Sequence, residues 1–465
     1  MPVEHASGGL TFAVRGQQDA STIGLLYRTF ASSTKQPLTR LKVLPKTRRQ
    51  PGSSVGHTRE TGPTDPHCNL KACDQFLGAD VNVVSDSEAG QQTGAQKSER
   101  RPRLVYVTTY DPAQMSNGGA AWVDQRVIAD LSAAYQIHVF AICEPGGVPL
   151  EIRGSLARQV WTLARMVATN EPLHSAKFMH SPAWGRRRQR LAQAIRTADI
   201  VVSSQWPAAL MLDQVGRVPD LHIAHNADHV LAEQTDSRLL RSLQDGKRTR
   251  RDEARILGAL PTVLALSTTD AKRLAMMGIS ATPLDLAPRH RPRPRKVIDD
   301  RFRVGFLGKA SWPPNATALQ LLQREVLPAL SQHLRLPPQL IVAGRGTEEV
   351  TGEGVKVLGA ISDVREFYGQ VDAVVVPRLG LSTGVSVKLL EAIEFGVPAV
   401  APSQLVNDAG LQHGVVVADS AEEIIAALAD IAAVDDPIHR SPRDTSPNQS
   451  APRQTALSAL RDGAA

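Results

Sequence analysis

Residues 373–401 constrain the fold of this chain more than any other segment. A β-branched run at 374–376 ends at Pro377, which predicts a buried strand followed by a loop. A turn rich in glycine and serine follows, and a helical pattern then covers 385–395 and ends at Gly396. Because such a turn and helix start direct free N–H groups and a positive dipole end at one point, the segment favours binding of an anion such as phosphate.

Three residues of this segment are predicted to share one face. Gly384, Lys388 and Glu391 are spaced at i, i+4 and i+7. Lys388 could therefore add a positive charge beside a phosphate, and Glu391 could accept hydrogen bonds from the hydroxyls of a sugar ring. The alternative is an exposed Lys388–Glu391 pair without a ligand, since glycine-rich turns before helices are common.

The same segment resembles the donor site of group 1 glycosyltransferases, which are retaining, nucleotide-sugar-dependent enzymes with the GT-B fold. Members of this family often carry two glutamates here; in this chain Thr383 stands at the first position and Glu391 at the second. The resemblance implies a catalytic role for Lys388 at the leaving diphosphate. It implies donor binding by Arg378, Thr383, Gly384, Val385 and Glu391.

A second segment strengthens the resemblance. Residues 304–307 predict a strand, 308–314 a turn, and Asn315 stands where a helix N-cap is expected. In the family, the first turn of the C-terminal domain carries a glycine and a basic residue near the donor diphosphate. Gly308 and Lys309 occupy these positions, which implies donor binding by Gly308 and a catalytic charge on Lys309. A solvated loop lysine is the alternative for Lys309.

The chain before this domain opens with strand, loop, helix and strand at 104–108, 110–119, 120–134 and 137–142, which is typical of a doubly wound sheet. The loop ends in Gly118 and Gly119. The resemblance implies that this glycine pair lets the backbone approach the donor phosphate or the acceptor. A tight turn at a helix start is the alternative.

His225 and Asn226 follow a predicted strand at 221–224, at the edge where open α/β sheets bind ligands. His225 could bond a sugar hydroxyl or share a proton near the leaving group, because imidazole titrates near neutrality. The alternative is a histidine that ties the strand to its loop. The family often has His-Asn-x-Glu here, so the resemblance places Asn226, and Asp228 in place of the glutamate, in the acceptor or sugar pocket. Residues 267–270 are predicted to cap a helix.

The predicted fold class is α/β, with two doubly wound Rossmann-like domains of the GT-B type that face a central cleft. Residues 455–460 are the candidate for the helix that crosses back to the first domain in the family. The predicted parts are a disordered or poorly ordered extension at 1–100, an acceptor domain at 101–285, a proline- and arginine-rich linker at 286–299, a nucleotide-sugar donor domain at 300–433 and a disordered tail at 434–465.

Composition narrows the class of protein. With 465 residues, of which 42% are apolar, the chain can fill two α/β cores. No uncharged apolar run approaches the roughly 20 residues of a membrane span. Cys68, Cys73 and Cys143 form no second ligand pair, so we expect a reduced, cytoplasmic protein without a structural metal.

The net charge of +7 reflects basic clusters at 186–190, 247–251 and 289–296. No aromatic residues interleave with these clusters, so we expect no specific nucleic-acid partner. Peripheral contact with an anionic membrane at its inner face fits a basic protein that acts on lipid-linked acceptors. Solvated surface is the alternative reading of each cluster.

Residues and resemblance together predict an enzyme that moves a sugar from a nucleoside-diphosphate sugar to an acceptor hydroxyl in glycan, polysaccharide or glycolipid synthesis. The expected partners are a nucleotide-sugar donor and a glycan or lipid-linked acceptor. The resemblance implies no cofactor and no metal, because cationic groups and a helix dipole take that role in the family. The alternative is a non-catalytic GT-B-like protein that binds a nucleotide or a glycan.

Overall fold

The computed structural model describes residues 100–113, 118–143, 156–179, 182–235, 237–292, 301–310, 312–378, 383–433 and 453–463. The predicted extension at 1–100 therefore lies outside the described residues, apart from Arg100. The same holds for 293–299 of the predicted linker and for 434–452 and 464–465 of the predicted tail.

Within the described ranges, the strands form two six-stranded sheets in which every pairing is parallel. The first sheet has the order β2-β1-β3-β4-β5-β6 and consists of β1 (Arg103–Tyr110), β2 (Gln136–Cys143), β3 (Ile200–Ser204), β4 (Leu221–Ala224), β5 (Val263–Ala265) and β6 (Ala281–Pro283). The second has the order β12-β11-β10-β7-β8-β9 and consists of β7 (Arg303–Leu307), β8 (Gln339–Ala343), β9 (Val355–Gly359), β10 (Ala373–Val375), β11 (Ala399–Ala401) and β12 (Val415–Val417).

Helices connect the strands of both sheets. Those of the first domain are α1 (Gly119–Leu131), α2 (Leu156–Thr169), α3 (Leu173–Phe178), α4 (Pro182–Ala194), α5 (Trp206–Gln214), α6 (Asp228–Thr235), α7 (Arg238–Ser242), α8 (Asp245–Leu257) and α9 (Thr268–Ala275), with a 3₁₀ turn at Ile195–Thr197. Those that follow are α10 (Pro313–Leu321), α11 (Leu327–Leu330), α12 (Val364–Tyr368), α13 (Val387–Glu394), α14 (Ser403–Ala409), α15 (Ala421–Ala432) and α16 (Ala456–Gly463), with a π-helical turn at Leu322–Val326.

Each sheet is covered on both faces, as expected for parallel strands. Along β1, Val105 and Val107 pack into one core layer, whereas Leu104 and Tyr106 pack into the other. This division follows from the two-residue period of a strand, which turns successive side chains to opposite faces. The near-continuous apolar runs of the sequence are therefore strands buried on both sides, and the predicted α/β fold with two doubly wound domains is confirmed.

The order of the second sheet places β7 directly beside β10. The chain builds outward from β7 through β8 and β9, then returns to build β10, β11 and β12 on the other side. The carboxyl ends of β7 and β10 thus meet at the point where the strand order reverses, and open α/β sheets bind ligands at such points. Gly308 with Lys309, and Pro377 with Arg378, follow these two ends.

The end of the chain returns to the first domain. Gln454 pairs with Leu284 next to β6, and α16 buries Ala456, Ala459 and Leu460 in the same core layer as Leu104 and Tyr106. The tail was predicted to be disordered, but residues 453–463 are ordered. The candidate segment 455–460 forms most of helix α16. Three small or apolar residues on one side of two helical turns are sufficient for this packing.

We predict that Gly305→Ala destabilises the second domain. A Cβ at this position of β7 would lie 2.7 Å from Phe367 Cζ and 2.8 Å from Val371 Cγ1, and both side chains are buried. Overpacking of this kind costs about 1–3 kcal/mol, so the midpoint of urea unfolding should fall. Gly185→Ala in α4 is the matched control, because a Cβ there meets nothing within 4 Å and should be neutral or stabilising. Equal midpoints for the two variants would contradict this account of the packing.

Candidate active site

The carboxyl ends of the two sheets face a cavity of about 1210 Å³. It is lined by every site residue predicted from the sequence except Asp228, namely Gly118, Gly119, His225, Asn226, Gly308, Lys309, Arg378, Thr383, Gly384, Val385, Lys388 and Glu391. Residues from four distant parts of the chain are therefore brought into one cleft between the two domains. Their individual roles toward a ligand stay predictions.

Two helix starts meet across this cleft. Gly118, with φ of 64°, precedes α1, and Gly119 is its first residue. A Cβ on Gly119 would lie only 3.2 Å from Cγ2 of Val387, the first residue of α13. The glycine pair therefore allows the amino ends of α1 and α13 to approach closely, and both positive dipole ends lie at the cleft.

The start of α13 carries a polar group that sequence reasoning missed. The helix begins at Val387, two residues later than the pattern predicted, and Ser386 is its N-cap. The Ser386 hydroxyl makes no capping bond, is buried and has no hydrogen-bond partner in the described part of the chain. An unpartnered buried hydroxyl costs about 1–3 kcal/mol, and Ser386 belongs to the lining of the cleft. A serine before a helical pattern was the available signal.

Two cationic side chains lie beside this helix start. The pKa of Lys388 is lowered to about 7, mainly by burial and also by the nearby Arg378 guanidinium, whereas Glu391 acts in the opposite direction. Burial also lowers the pKa of Arg378 to about 10, and its guanidinium lies 4.5 Å from the centre of the Trp312 ring. Protonation of a buried lysine beside an arginine is unfavourable, and a bound anion would reduce this cost. The pair therefore favours an anionic ligand.

Glu391 lies one turn further along α13 and still lines the cleft. Its pKa is raised to about 7 because burial outweighs the opposite effects of Lys388 and of the Tyr368 hydroxyl, which lies 3.2 Å from Oε2. Tyr368 is itself fixed by stacking on Phe395, with ring centres 4.8 Å apart. The carboxyl group is therefore held in one orientation, with capacity left to accept hydrogen bonds from a ligand.

The turn before α13 differs from the prediction. The Gly384 N–H, expected to face a phosphate, donates to Asp270 Oδ2 at 2.5 Å. The Thr383 hydroxyl donates to Asp270 Oδ1 at 3.0 Å, and it accepts from the Ala227 N–H at 3.1 Å. Thr383 and Gly384 thus link the second domain to the first, although both also line the cleft.

Asp270 was predicted only as part of a helix cap, and that part of the prediction holds. Its N–H donates to the Ser267 hydroxyl at 3.0 Å at the start of α9. Arg273, one turn later, pairs with Oδ1 at 2.8 Å. Nothing in the local pattern indicated that the same carboxylate reaches a residue 114 positions away.

Asp228 lies outside the lining of the cleft, so the structure does not place it in the predicted acceptor or sugar pocket. It is the first residue of α6, and its N–H donates to Glu253 Oε1 at 2.9 Å. Burial raises the pKa of Asp228 well above its usual range, and the carboxylates of Glu253 and Asp270 raise it further. Asp228 therefore lies near the carboxylates of Glu253 and Asp270 at the start of α6, and not in the lining of the cavity.

His225 and Asn226 remain at the cleft beyond β4. His225 Nε2 lies 2.9 Å from the Ser204 hydroxyl and 3.5 Å from Asp124 Oδ1. A Cβ on Gly384 would lie 2.8 Å from the His225 carbonyl and 2.9 Å from Asn226 Oδ1. The absence of a side chain at Gly384 therefore allows the two domains to touch at this point.

The turn after β7 is also built differently from the prediction. Helix α10 begins at Pro313 with Trp312 as its N-cap, so Asn315 is not the cap but lies in the first turn. Its amide donates to the Lys309 carbonyl at 2.9 Å and packs against Gly308, where a Cβ would lie 2.6 Å from Nδ2. This contact shapes the turn, and the exposed Lys309 side chain lines the cleft.

Residues 301–433 match the family model described as "Glycosyl transferases group 1". The second domain is a group 1 glycosyltransferase domain. The match covers β7 to α15 and thus the whole strand–turn–helix segment from which the resemblance was recognised. A comparison of the whole chain with curated proteins gave no match.

Several solved structures are similar to the group 1 glycosyltransferase domain together with the first domain. Sucrose-phosphate synthase from Thermosynechococcus elongatus is 16% identical over 71% of this chain and 90% of its own, with a TM-score of 0.47. Anabaena HepE, in complex with UDP and glucose, is 14% identical over 72% and 93%, with a TM-score of 0.42. An α,α-trehalose-phosphate synthase (UDP-forming) from Burkholderia vietnamiensis is 12% identical over 71% and 92%, with a TM-score of 0.45.

Other predicted properties concern metal and membrane. Among the residues that the structure describes, no helix is long and apolar enough to span a bilayer. In the same ranges, no group of three or more His, Cys, Asp or Glu side chains could hold a metal ion. Cys68 and Cys73 lie outside the described ranges. The expected lack of a cofactor and the expected membrane contact stay predictions.

We predict that binding of a nucleoside diphosphate takes up protons at pH 8. The pKa of Lys388 is about 7 without ligand, and a nearby diphosphate would raise it. Lys388, mostly neutral at pH 8, should therefore gain a proton on binding, and UDP or GDP affinity should fall as the pH rises above about 7, by up to about tenfold per pH unit.

Calorimetry in two buffers of different ionisation enthalpy measures this uptake. Lys388→Met should reduce it, and the remainder belongs to Glu391, whose pKa of about 7 would also rise beside an anion. Lys309→Met is the control, because it removes a second lysine of the cleft lining, one whose side chain is exposed. Equal uptake in the wild type and Lys388→Met would contradict the assignment to Lys388.

Proposed function

We propose that the protein is a glycosyltransferase that moves a sugar from a nucleoside-diphosphate sugar to an acceptor hydroxyl. One observation carries the proposal: Ser386, whose buried hydroxyl has no hydrogen-bond partner among the described residues, lines the cleft at the start of α13 together with Lys388 and Arg378. This group lies where strand order reverses next to β7 and β10. The family match of residues 301–433 supports the same reaction.

In the proposed reaction, the bond between the anomeric carbon and the diphosphate oxygen breaks, and its electron pair leaves with the diphosphate. A bond from the acceptor oxygen to the anomeric carbon forms, and the acceptor hydroxyl gives its proton to the departing diphosphate or to water. Negative charge therefore grows on the diphosphate. Groups already fixed to meet growing charge can supply most of a rate enhancement, since they need no reorganisation.

The residues at the start of α13 match this demand. Ser386 would donate its hydroxyl to a phosphate oxygen, and Lys388, protonated on binding, would place its ammonium group beside it. The exposed ammonium of Lys309 would approach from the turn after β7, and the positive end of α13 adds to these charges. We propose that these groups replace a metal ion at the diphosphate.

Glu391 is proposed to hold the ribose of the nucleotide. Its carboxyl group, fixed by Tyr368, can accept hydrogen bonds from two neighbouring hydroxyls. The nucleotide would then lie along α13, with the diphosphate at the first turn of the helix and the ribose one turn later. Retention of configuration at the anomeric carbon is expected from the family resemblance.

We propose a glycan or lipid-linked acceptor and peripheral contact with an anionic membrane from the cytoplasmic side. Helix α4 exposes Arg186, Arg188 and Arg190 to solvent, which supports contact with negatively charged headgroups. Each such residue near a membrane surface contributes about 1 kcal/mol of attraction.

Variants at the start of α13 test the proposal. We expect Ser386→Ala, Lys388→Ala and Glu391→Ala each to lower kcat/KM by at least roughly tenfold, which corresponds to about 1.4 kcal/mol. Lys356→Ala is the matched lysine control, because Lys356 is exposed on β9 and bonds Gln370 away from the cleft. Glu366→Ala, also exposed, is the control for Glu391.

The assay incubates the purified protein with a panel of UDP-, GDP- and TDP-sugars and follows donor cleavage by mass spectrometry. Transfer to an acceptor or slow transfer to water supports the enzyme. Tight nucleotide binding without any cleavage of the panel would instead support a non-catalytic binding protein. Unchanged kinetics in all three α13 variants would remove the assignment of the site.

A further inference from the structure

A buried carboxylate lies directly behind the cleft histidine. Asp124, on α1, is fully buried and accepts hydrogen bonds from four side chains: Tyr106 at 2.8 Å, Thr108 at 2.5 Å, Ser204 at 2.5 Å and Gln205 at 3.1 Å. A carboxyl group with four donors around it is an acceptor only, and therefore ionised. Burial alone raises the pKa of Asp124, but the neighbouring His225 ring and hydrogen bonds from Ser204 and Thr108 bring it below the usual value.

The hydroxyl of Ser204 connects this carboxylate to the imidazole. Ser204 Oγ donates its single proton to Asp124 Oδ1 at 2.5 Å, and the same oxygen lies 2.9 Å from His225 Nε2. A hydroxyl has one proton to give. Because that proton goes to the carboxylate, Ser204 Oγ accepts from Nε2, which must then carry a proton. The neutral imidazole is thereby fixed as the Nε2–H tautomer.

The other ring nitrogen is left for the cleft. His225 lines the cavity at the carboxyl end of β4, and its side chain is 9% exposed. In the described part of the chain, no hydrogen bond to His225 Nδ1 is found. With Nε2 protonated, Nδ1 presents a lone pair. Among the described residues, the titratable groups beside the ring are Asp124 from α1 and His222 from β4, and the Tyr106 hydroxyl of β1 donates to Asp124.

We propose that Ser204 and Asp124 are positioning residues that hold His225 as the Nε2–H tautomer, so that Nδ1 accepts a hydrogen bond from a substrate hydroxyl in the cleft. The inference rests on the proposed glycosyltransferase function and adds the chemistry of one group to it. Ser204 and Asp124 do not line the cleft, so they set the tautomer and the orientation of the His225 ring without contacting the substrate. A carboxylate that orients an imidazole through its far nitrogen performs this task in many enzymes.

The chain contains its own control for this pair. Ser203, the preceding residue of β3, lies 2.8 Å from Nδ1 of His222 on the neighbouring strand, and both are buried. Burial lowers the pKa of His222 to about 3, with His225 as a second cause, so His222 stays neutral. Since His222 does not line the cleft, Ser203→Ala removes the same kind of serine–histidine bond without reaching the substrate.

Nitrogen NMR of histidine-labelled protein tests the tautomer without any need for activity. The His225 signals are assigned by their absence in His225→Gln. We expect a protonated Nε2 and an unprotonated Nδ1 in the wild type, and a mixture of tautomers in Ser204→Ala. A wild-type imidazole protonated at Nδ1, or an unchanged tautomer in Ser204→Ala, would overturn the inference.

Kinetics test the same role in turnover. We expect Ser204→Ala to lower kcat by at least roughly tenfold, and Ser203→Ala to leave it within about twofold. Loss of donor hydrolysis as well as transfer would place the hydroxyl on the donor sugar, whereas loss of transfer alone would place it on the acceptor. Equal kcat in Ser204→Ala and the wild type would contradict the inference even if the transferase activity itself is present.

Asp124→Asn provides a second readout. Asp124→Asn removes the carboxylate that takes the Ser204 proton, so the preference for the Nε2–H tautomer should weaken in the nitrogen NMR spectrum. A purely structural carboxylate would lower activity or stability and leave the tautomer unchanged. If no donor is cleaved at all, the proposed function fails, while the NMR experiment still decides the tautomer of His225.

Discussion

The contact between Asp270 and the Thr383–Gly384 turn is the interaction on which the geometry of the cleft depends. It joins a carboxylate of the first domain to a hydroxyl and an N–H of the second, at 3.0 and 2.5 Å. Hydrogen bonds to an ionised acceptor are stronger than neutral ones, and burial from water increases the difference. Arg273 and the cap of α9 hold Asp270 in place, so the turn before α13 has a rigid partner.

The far end of α13 is fixed by a second set of charges. Glu394, the last residue of the helix, is fully buried and pairs with Arg126 of the first domain and with Arg291 at 3.1 Å. The Arg289 N–H donates to the same carboxylate at 3.0 Å. One short helix is therefore attached at both ends to residues outside its own domain. Lys388 and Glu391 lie between these two attachments, which hold the backbone of α13 while burial shifts the pKa of both side chains to about 7.

Local pattern was sufficient to predict the strand, the turn and the helix that carry Lys388 and Glu391, because these depend on residues close in sequence. It was also sufficient to predict the two doubly wound domains, since parallel strands buried on both faces leave continuous apolar runs. The missed groups depend on distant contacts. The sequence could not show that the Ser386 hydroxyl would be buried without a hydrogen-bond partner among the described residues. Nor could it show that Asp270 would bond Gly384 in the other domain. Asn315 was misplaced because the helix begins two residues earlier, at Pro313. Asp228 was misplaced because its contact with Glu253 depends on a residue 25 positions away.

The account as a whole requires that α13, held between the two domains, presents its first turn to a diphosphate. The most direct measurement is a crystal structure of the protein with UDP or GDP bound. We expect phosphate oxygens within hydrogen-bond distance of Ser386 Oγ and Lys388 Nζ, and ribose hydroxyls at Glu391. A nucleotide bound elsewhere in the cleft, with the Ser386 hydroxyl still unpartnered, would contradict the account.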